Sequence, residues 1–217
     1  MSTPIEQFPA LTGVEGFLHA FTLRDPDIQV DVDRETALRN LDATHLEAAK
    51  AAGINNPLTT GEQVHGNQVA VVRGESPNHI KGVDGLVTIE SDRPLGIYVA
   101  DCAAVYLVDP EKRALGLVHS GKKGTELEIT RLAIELMGSE FGCNPANIIA
   151  QLSPCIRPCH YEVDFPSAIL DQCVKAGLQE QNIHDCGTCT ATNVGIYYSY
   201  RQEKGKTGRM LAMVGWN

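Results

Sequence analysis

Short runs of apolar residues recur along the chain and predict a protein rich in β-sheet. Each run is bounded by polar residues, glycine or proline, as is typical of strands. The strands predicted in this way cover residues 16–23, 68–73, 85–90, 95–100, 104–109, 114–119, 147–152 and 209–216. Sheet should therefore be the main element of the fold.

Three longer stretches have apolar residues near helical spacing, and each is stopped by a glycine. They cover residues 34–52, 126–141 and 167–176. The second should begin at a capping box formed by Thr125 and Glu128. Because strands and helices follow one another without a regular βαβ rhythm, we expect an α+β fold, a mixed α/β sandwich with helices packed on mixed sheets.

Length and uniform composition indicate one domain that spans residues 1–217. No apolar stretch approaches the roughly 18 residues that a membrane-spanning helix needs, so we expect no membrane partner. The formal net charge of −9, with no basic run to offset it, argues against binding to long nucleic acid. A small anion can still bind where local basic groups converge in a cleft.

The N-terminal segment and the cysteines both favour a cytoplasmic protein. The segment MSTPIEQFPALTG has an early glutamate and two prolines where a secretory signal has a basic start and an apolar run. Seven cysteines, an odd number, indicate reduced thiols rather than a disulfide framework. Such thiols are free for metal binding or catalysis.

Three segments place a side chain that can bind a metal at the edge of a predicted strand. His65 lies in a glycine-bounded turn, Cys102 follows Asp101 between two apolar runs, and His119 ends another run. Taken singly, a loop histidine and a small buried cysteine are adequate explanations. The neighbouring Asp101 weakens the second explanation, because burial of an unpaired carboxylate is costly.

Together, His65, Cys102 and His119 offer two nitrogens and one sulfur, a ligand set that suits Zn²⁺. Three protein ligands leave the fourth tetrahedral position open, as in catalytic rather than structural zinc sites. The spacing of the three residues is not a motif. The combination of ligand types is therefore the only basis for this predicted metal site.

The segment HSGKKGT, between a predicted strand and a predicted helix, is a candidate anion site. Lys122 and Lys123 add two positive charges near the helix start, where backbone N–H groups attract anions. The spacing does not match a P-loop, so binding of a nucleoside triphosphate is not implied. Two solvated lysines in a surface loop are an equally good explanation.

A second group of cysteines offers a competing metal site. Cys155 and Cys159 are followed by Cys186 and Cys189, and four thiolates would hold a structural zinc ion. Reversible redox pairing of Cys186 with Cys189 is a further alternative, although no thioredoxin-like context surrounds the pair. Both interpretations are weaker than the site at His65, Cys102 and His119.

The C-terminal region mixes polar side chains with tyrosines, as binding pockets do. Thr190, Asn193, Ser199 and Arg201 are the polar members. Tyrosine and asparagine can stack on and hydrogen-bond a flat base, and arginine can hold a phosphate through two hydrogen bonds. Core aromatic residues and a hairpin at GKTG explain the same region equally well.

Seven short segments carry a family resemblance when they are taken in order. They are QVHG at 63–66, VDGLVT at 83–88, ADC at 100–102, HSGKKG at 119–124, SPCIRPCHYEV at 153–163, CTATN at 189–193, and YSYR with TGR near the end. In order and spacing they resemble the YfiH-type laccase-domain family, also called polyphenol oxidase-like. The resemblance extends from about residue 16 to residue 216.

The resemblance implies a fold like that of bacterial glutamine-deamidating toxins and a metal site at the same three ligands. It also implies phosphorolysis of adenosine, inosine, guanosine or methylthioadenosine, and deamination of adenosine to inosine. The residues then nominated for catalysis are Cys102, His119 and Asp101, with His65, Cys102 and His119 as metal ligands. Those nominated for substrate binding are Arg24, Gln63, Lys122, Lys123, Asn193 and Arg201.

Two departures from the family pattern affect the expected substrate contacts. Lys122 and Lys123 stand where the family commonly has the tryptophan and arginine of HAGWRG, so a basic charge survives at the second position. Arg24, in FTLRDPD, lacks the glycine pair that usually follows an arginine in this region. The substrate preference therefore stays open, as does the oligomeric state.

Two functions of other classes also stay open. A Cys/His hydrolase would use Cys102 as nucleophile and His119 or His65 as base. A non-catalytic scaffold would keep the fold and the metal. Copper-dependent phenol oxidation is less well supported, because a laccase needs more histidine ligands than seven scattered histidines provide. We expect Zn²⁺ as cofactor, and a purine nucleoside and phosphate as the small-molecule partners.

Overall fold

The computed structural model describes residues 4–217, and within this range twelve strands form two six-stranded mixed sheets. Helices pack on these sheets, which confirms the predicted α+β fold. The first three residues of the N-terminal segment that indicated the compartment lie outside the described range. Over residues 4–217, none of the helices has the length and apolar character that crossing a membrane requires.

The elements follow one another in an irregular order. The strands are β1 (Ile5–Glu6), β2 (Phe17–Thr22), β3 (Thr59–Gly61), β4 (Val69–Val71), β5 (His79–Ile80), β6 (Gly85–Thr88), β7 (Leu95–Val99), β8 (Ala103–Asp109), β9 (Ala114–Ser120), β10 (Ile149–Leu152), β11 (Ile183–Asp185) and β12 (Met210–Trp216). The α-helices are α1 (Pro9–Thr12), α2 (Arg34–Ala51), α3 (Lys122–Glu126), α4 (Ile129–Phe141) and α5 (Phe165–Lys175).

The two sheets share no strand, and each contains both parallel and antiparallel strand pairs. One has the order β1-β2-β12-β7-β3-β5 and the other the order β11-β10-β8-β9-β6-β4. In the first sheet β3 runs parallel to β5 and β7, and in the second β4 is parallel to β6 and β10 to β11. The remaining pairs are antiparallel. This mixture explains the irregular order of elements along the chain.

Strand β8 shows how the layers stack, because its side chains alternate between two cores. Tyr106 and Val108 belong to a cluster shared with the first sheet, which includes Ile97 of β7. Val105 and Leu107 point the other way and pack against α4 and α5. A strand that is buried on both faces has a continuous run of apolar residues in its sequence. On the far side of the first sheet, α2 packs its alanines against β2 and β12.

The predicted start of the helix at 126–141 is wrong, and the approximate start of the next helix is shifted by two residues. The capping box at Thr125 does not form, because the Thr125 hydroxyl bonds the Gly121 carbonyl within α3 and Glu128 has a left-handed φ of 59°. Helix α4 therefore begins at Ile129 rather than at residue 126. Helix α5 begins at Phe165 rather than at residue 167, since the side chain of Asp164 caps it and Pro166 is tolerated in the first turn.

Candidate metal centre and active site

The strand register brings the candidate ligands of the second sheet together. Ala103 of β8 pairs with Ser120 of β9, so Cys102 lies opposite Gly121 just beyond the paired ends. A Cβ atom at position 121 would lie only 2.5 Å from Cys102 Sγ, so glycine is required for this approach. His119, the residue before Ser120, therefore reaches the same end of the sheet as Cys102.

Asp84, which directly precedes β6, stands opposite His119 of the neighbouring strand β9. Gly85 of β6 pairs with Val118, and the His119 N–H donates to the Asp84 carbonyl at 2.7 Å. The side chains meet as well, because His119 Nδ1 lies 2.7 Å from Asp84 Oδ1. A carboxylate bound to one ring nitrogen fixes the orientation of the imidazole and leaves Nε2 available for a metal.

The same carboxylate also shapes the loop that carries His65, between β3 and β4. Asp84 accepts the backbone N–H groups of Val64, His65 and Gly66 at 3.1, 2.9 and 2.8 Å. His65 has a left-handed φ of 60°, which is uncommon for a residue with a side chain. Asp84 thus stabilises a strained loop and holds the exposed His65 ring beside the buried His119 ring, with 4.8 Å between their centroids.

His65, Cys102 and His119 form one cluster of possible metal ligands. Their donor atoms all lie within 4.8 Å of one another. His119 is buried, Cys102 is partly buried and His65 is exposed, so the cluster opens to solvent on one side. Nitrogen and thiolate donors with one open direction fit a catalytic zinc ion. The structure therefore brings together the three ligands that the sequence predicted.

The electrostatics of the cluster favour the charged thiolate. Burial alone would raise the pKa of Cys102, but the adjacent His119 and His65 outweigh it and lower that pKa to about 6. Burial would likewise lower the pKa of His119, but the charge of Cys102 and the hydrogen bond to Asp84 raise it to about 9. Without a metal, Cys102 and His119 form a thiolate and imidazolium pair at neutral pH.

The cluster lies in a cavity of about 720 Å³, within the range of small-molecule sites. Cationic and aromatic side chains dominate the rest of its lining. The cationic residues are Arg34, Lys122, Lys123, Arg201, Lys204 and Arg209, and the aromatic residues are Tyr98, Tyr161, Phe165 and Tyr200. In a chain with a net charge of −9, this local excess of positive charge indicates a site for an anion.

Asp101 lines the cavity, and its carboxylate is fully engaged by protein donors. Oδ1 accepts from the Thr190 hydroxyl at 2.7 Å, and Oδ2 accepts from the Ser199 hydroxyl at 3.1 Å and the Arg201 N–H at 2.7 Å. Its φ of 79° is left-handed, next to Cys102. These bonds show that Asp101 ties the C-terminal region to the strand end that carries the thiol.

Gln63 also lines the cavity, but its amide is paired with the backbone of β7. Its Nε2 donates to the Tyr98 carbonyl at 2.6 Å and its Oε1 accepts the Tyr98 N–H at 2.9 Å. The Gln63 side chain therefore links the His65 loop to the backbone of Tyr98. Lys122, Lys123 and Arg201 are exposed residues on the cavity lining, as a contact with an incoming ligand requires.

The structure does not bring Arg24 or Asn193 into this cavity. The Arg24 guanidinium pairs with Glu203 at 2.7 Å, donates to the Val194 carbonyl and stacks over Tyr198. The Asn193 side chain accepts from the Gly195 N–H at 3.1 Å within its own turn. Both side chains are engaged by other protein groups and lie outside the cavity lining.

Several residues of the site were not identified from the sequence. Asp84 lay inside the VDGLVT segment, directly before a strand, and this position was its only signal. Arg34 and Arg209 have no local signal, because they reach the cavity from the start of α2 and from the residue before β12.

The four cysteines of the competing metal site do not converge. Within residues 4–217, Cys155 and Cys186 belong to no group of metal-binding side chains.

Comparison with known proteins identifies a family. The chain matches the family described as multi-copper polyphenol oxidoreductase laccase over residues 28–169 and 163–217. It is 31% identical to purine nucleoside phosphorylase YlmD of Bacillus subtilis over 191 residues, which cover 71% of this chain and 69% of the relative. It is 30% identical to a purine nucleoside phosphorylase of Deinococcus radiodurans over 91% of this chain and 88% of the relative.

Solved structures support the fold independently of sequence. The crystal structure of YlmD from Geobacillus stearothermophilus superposes with a TM-score of 0.84 at 23% identity, covering 99% of each chain. The crystal structure of the hypothetical protein YfiH from Bacillus licheniformis superposes with a TM-score of 0.83 at 22% identity, covering 93% of each chain. At such identities the likeness is evidence for the fold alone.

Proposed function

This chain belongs to the family described as multi-copper polyphenol oxidoreductase laccase, and we propose that it is a zinc-dependent purine nucleoside enzyme. The reactions we assign are phosphorolysis of adenosine, inosine, guanosine and methylthioadenosine, and deamination of adenosine to inosine. The named activity of the relatives, purine nucleoside phosphorylase, supports the first of these reactions. A cytoplasmic location is part of the same proposal.

The observation that carries the proposal is one cavity that combines three kinds of group. The His65, Cys102 and His119 cluster lies beside cationic side chains for a phosphate and aromatic side chains for a base. A nucleoside and a phosphate together need a site of this size. The absence of a P-loop agrees with phosphate, rather than a nucleoside triphosphate, as the second substrate.

In phosphorolysis, a phosphate oxygen bonds to C1 of the ribose while the bond from C1 to the purine nitrogen breaks. The base departs with the bonding electrons and takes up a proton, and ribose 1-phosphate remains. Lys122, Lys123 and Arg34 are exposed cations of the cavity lining that can hold the phosphate oxygens. Holding both reactants in one cavity lowers the entropic part of the barrier.

The aromatic residues suit the purine base. Tyr98 and Phe165 contribute rings to the lining, and Tyr200 is exposed at the cavity. Flat aromatic faces bind purines by stacking, and a tyrosine hydroxyl can hydrogen-bond a ring nitrogen or exocyclic group. Such contacts tolerate several purines, which agrees with more than one nucleoside substrate.

We favour zinc because of the ligand set and the number of ligands. His65, Cys102 and His119 would hold the ion, and a bound zinc ion supplies Lewis-acid chemistry at its open position. A multi-copper centre needs several histidines around neighbouring ions. Within residues 4–217, only His65, His119 and His160 take part in groups that can hold a metal. Asp84 orients His119 for either metal.

A second candidate, a Cys/His hydrolase, is favoured by the acidic thiol. A Cys102 pKa of about 6 makes the group a thiolate at neutral pH, as a cysteine nucleophile requires. Metal dependence distinguishes the two candidates. Alkylation of Cys102 should be blocked by bound zinc in the first case and should proceed in the active hydrolase in the second.

The test is incubation of metal-replete protein with adenosine, with and without phosphate, followed by chromatography of the purines. The proposal predicts adenine only when phosphate is present, and inosine in both conditions. Hypoxanthine should appear with phosphate, because inosine is then cleaved in turn. If adenosine remains unchanged, and parallel incubations of inosine, guanosine and methylthioadenosine with phosphate also give no product, the proposed function is wrong.

A further inference from the structure

We propose that Cys159, His160 and Cys189 form a second metal site, which binds a thiophilic ion such as Zn²⁺ or Cu⁺. These three residues share no member with the cluster at His65, Cys102 and His119. Their donor atoms also lie within 4.8 Å of one another. The inference rests on this geometry and is independent of the proposed function.

The distances within the cluster match those around one metal ion. His160 Nδ1 lies 3.2 Å from Cys159 Sγ and 3.6 Å from Cys189 Sγ. In a tetrahedral zinc site, bonds of about 2.3 Å to sulfur and about 2.0 Å to nitrogen place these two donors roughly 3.6 Å apart. One ion can therefore bind all three side chains with small adjustments.

The two segments that supply the ligands are already joined by backbone hydrogen bonds. The Cys155 N–H donates to the Thr188 carbonyl at 3.2 Å, and the Thr190 N–H donates to the Cys155 carbonyl at 3.1 Å. The His160 N–H donates to the Arg157 carbonyl at 2.8 Å, in a turn that presents Cys159 and His160 side by side. The ligands are thus positioned before any ion binds, which lowers the entropic cost of binding.

The site is accessible, and its composition distinguishes it from the alternatives. Cys159 and His160 are exposed and Cys189 is partly buried, so an ion can enter without opening the fold. A four-cysteine site is excluded by Cys155, which is buried and outside the cluster. Cys159 and Cys189 are free cysteines, and the imidazole nitrogen of His160 lies near both sulfur atoms. Two thiolates and an imidazole form a soft ligand set.

A bound ion would join one wall of the neighbouring cavity to the segment that supports Asp101. His160 precedes Tyr161, which lines the cavity, and Cys189 precedes Thr190, which donates to Asp101. The ion would therefore cross-link the loop at 157–163 to the segment that supports Asp101. We expect it to slow amide hydrogen exchange in this loop, because local opening would require metal release.

The test is a Co²⁺ and Zn²⁺ titration of the full chain in a Cys102→Ser background, which removes the thiolate of the first cluster. We expect one equivalent of metal to remain, with a thiolate-to-cobalt charge-transfer band. The band and the bound equivalent should both disappear when Cys159→Ser and Cys189→Ser are added. Retention of the band in that triple variant would overturn the proposal.

Cys186→Ser in the same Cys102→Ser background is the matched control. Cys186 lies close in sequence to Cys189 but outside the cluster, so this variant should keep the metal and the band. Loss of the metal here would assign it to the Cys186 and Cys189 pair and contradict the proposal. A Cys159–Cys189 disulfide that persists in protein kept with reductant and metal, detected by peptide mass spectrometry, would also contradict it.

Discussion

Asp84 and His119 are joined twice, once through the backbone and once through their side chains. The His119 N–H bonds the Asp84 carbonyl at 2.7 Å, and His119 Nδ1 lies 2.7 Å from Asp84 Oδ1. The same carboxylate accepts three N–H groups of the His65 loop. One buried carboxylate thus positions two of the three proposed metal ligands.

Replacing Asp84 with asparagine should weaken zinc binding by about 10- to 100-fold, because the orientation of His119 and of the His65 loop would be lost. Asparagine keeps the size of the side chain but cannot accept from all four donors. Competition with a chromophoric chelator measures the change. Asp109→Asn is the control, since Asp109 is also buried but caps the turn at Glu111 and Lys112, away from the site. An affinity unchanged in Asp84→Asn would mean that Asp84 does not position the ligands.

Replacing Gly121 with alanine should disturb Cys102 while preserving the fold. The added Cβ would lie 2.5 Å from Cys102 Sγ, so the thiolate must move out of the cluster. We expect zinc affinity to fall at least tenfold, as after partial loss of one of three ligands. Gly74→Ala is the control, because a Cβ at that position meets no atom within 4 Å. Equal zinc affinity in both variants would show that this close approach is not needed.

Zinc affinity of the first cluster should rise with pH between 7 and 9 and level off above 9. The Cys102 pKa of about 6 makes the thiol ionised at pH 7, whereas the His119 pKa of about 9 means that its proton must leave before a metal binds. One proton displaced per ion gives about a tenfold gain in affinity per pH unit. Isothermal titration in buffers of different ionisation enthalpy counts the released protons. Affinity that is flat or falls over this range would contradict the raised pKa of His119.

Replacing Lys122 and Lys123 together with alanine should weaken phosphorolysis more than deamination, because only the first reaction consumes phosphate. Both residues are exposed on the cavity lining, so each charge should contribute modestly. We expect the KM for phosphate to rise about tenfold, with adenosine deamination almost unchanged. A Lys50→Ala, Lys175→Ala double variant, away from the cavity, controls for net charge. Equal losses in both reactions would indicate a displaced His119 rather than a phosphate site.

The elements that could be predicted from the sequence are those with a strong local pattern. All eight predicted strands are present, because strands such as β8 and β9 are buried on both faces and read as continuous apolar runs. The four strands that were not predicted, β1, β3, β5 and β11, have only two or three residues, too few for an alternating pattern. The start of α4 was misplaced because Glu128, which adopts a left-handed conformation, separates α3 from α4, and no capping pattern encodes this.

The candidate site was predictable in its chemistry and less so in its surroundings. Residue type alone singled out His65, Cys102 and His119, and the register of β8 and β9 explains why two of them meet. Arg209 directly precedes β12 and reaches the cavity because β12 pairs with β7, a strand far away in the sequence. No local pattern shows this pairing. Arg24 is an arginine in a promising segment whose partner, Glu203, lies far along the sequence. Long-range partners decide whether a charged residue faces a ligand or another side chain.

The most direct test of the central claim is the zinc content of purified protein, measured by inductively coupled plasma mass spectrometry. The second metal site is first removed by Cys159→Ser and Cys189→Ser, so that the remaining zinc reports on the first cluster alone. We predict about one zinc ion per chain in this background, and nearly none after addition of His65→Ala, Cys102→Ala or His119→Ala. Zinc content that is unchanged by all three substitutions would contradict the assignment of the metal to His65, Cys102 and His119.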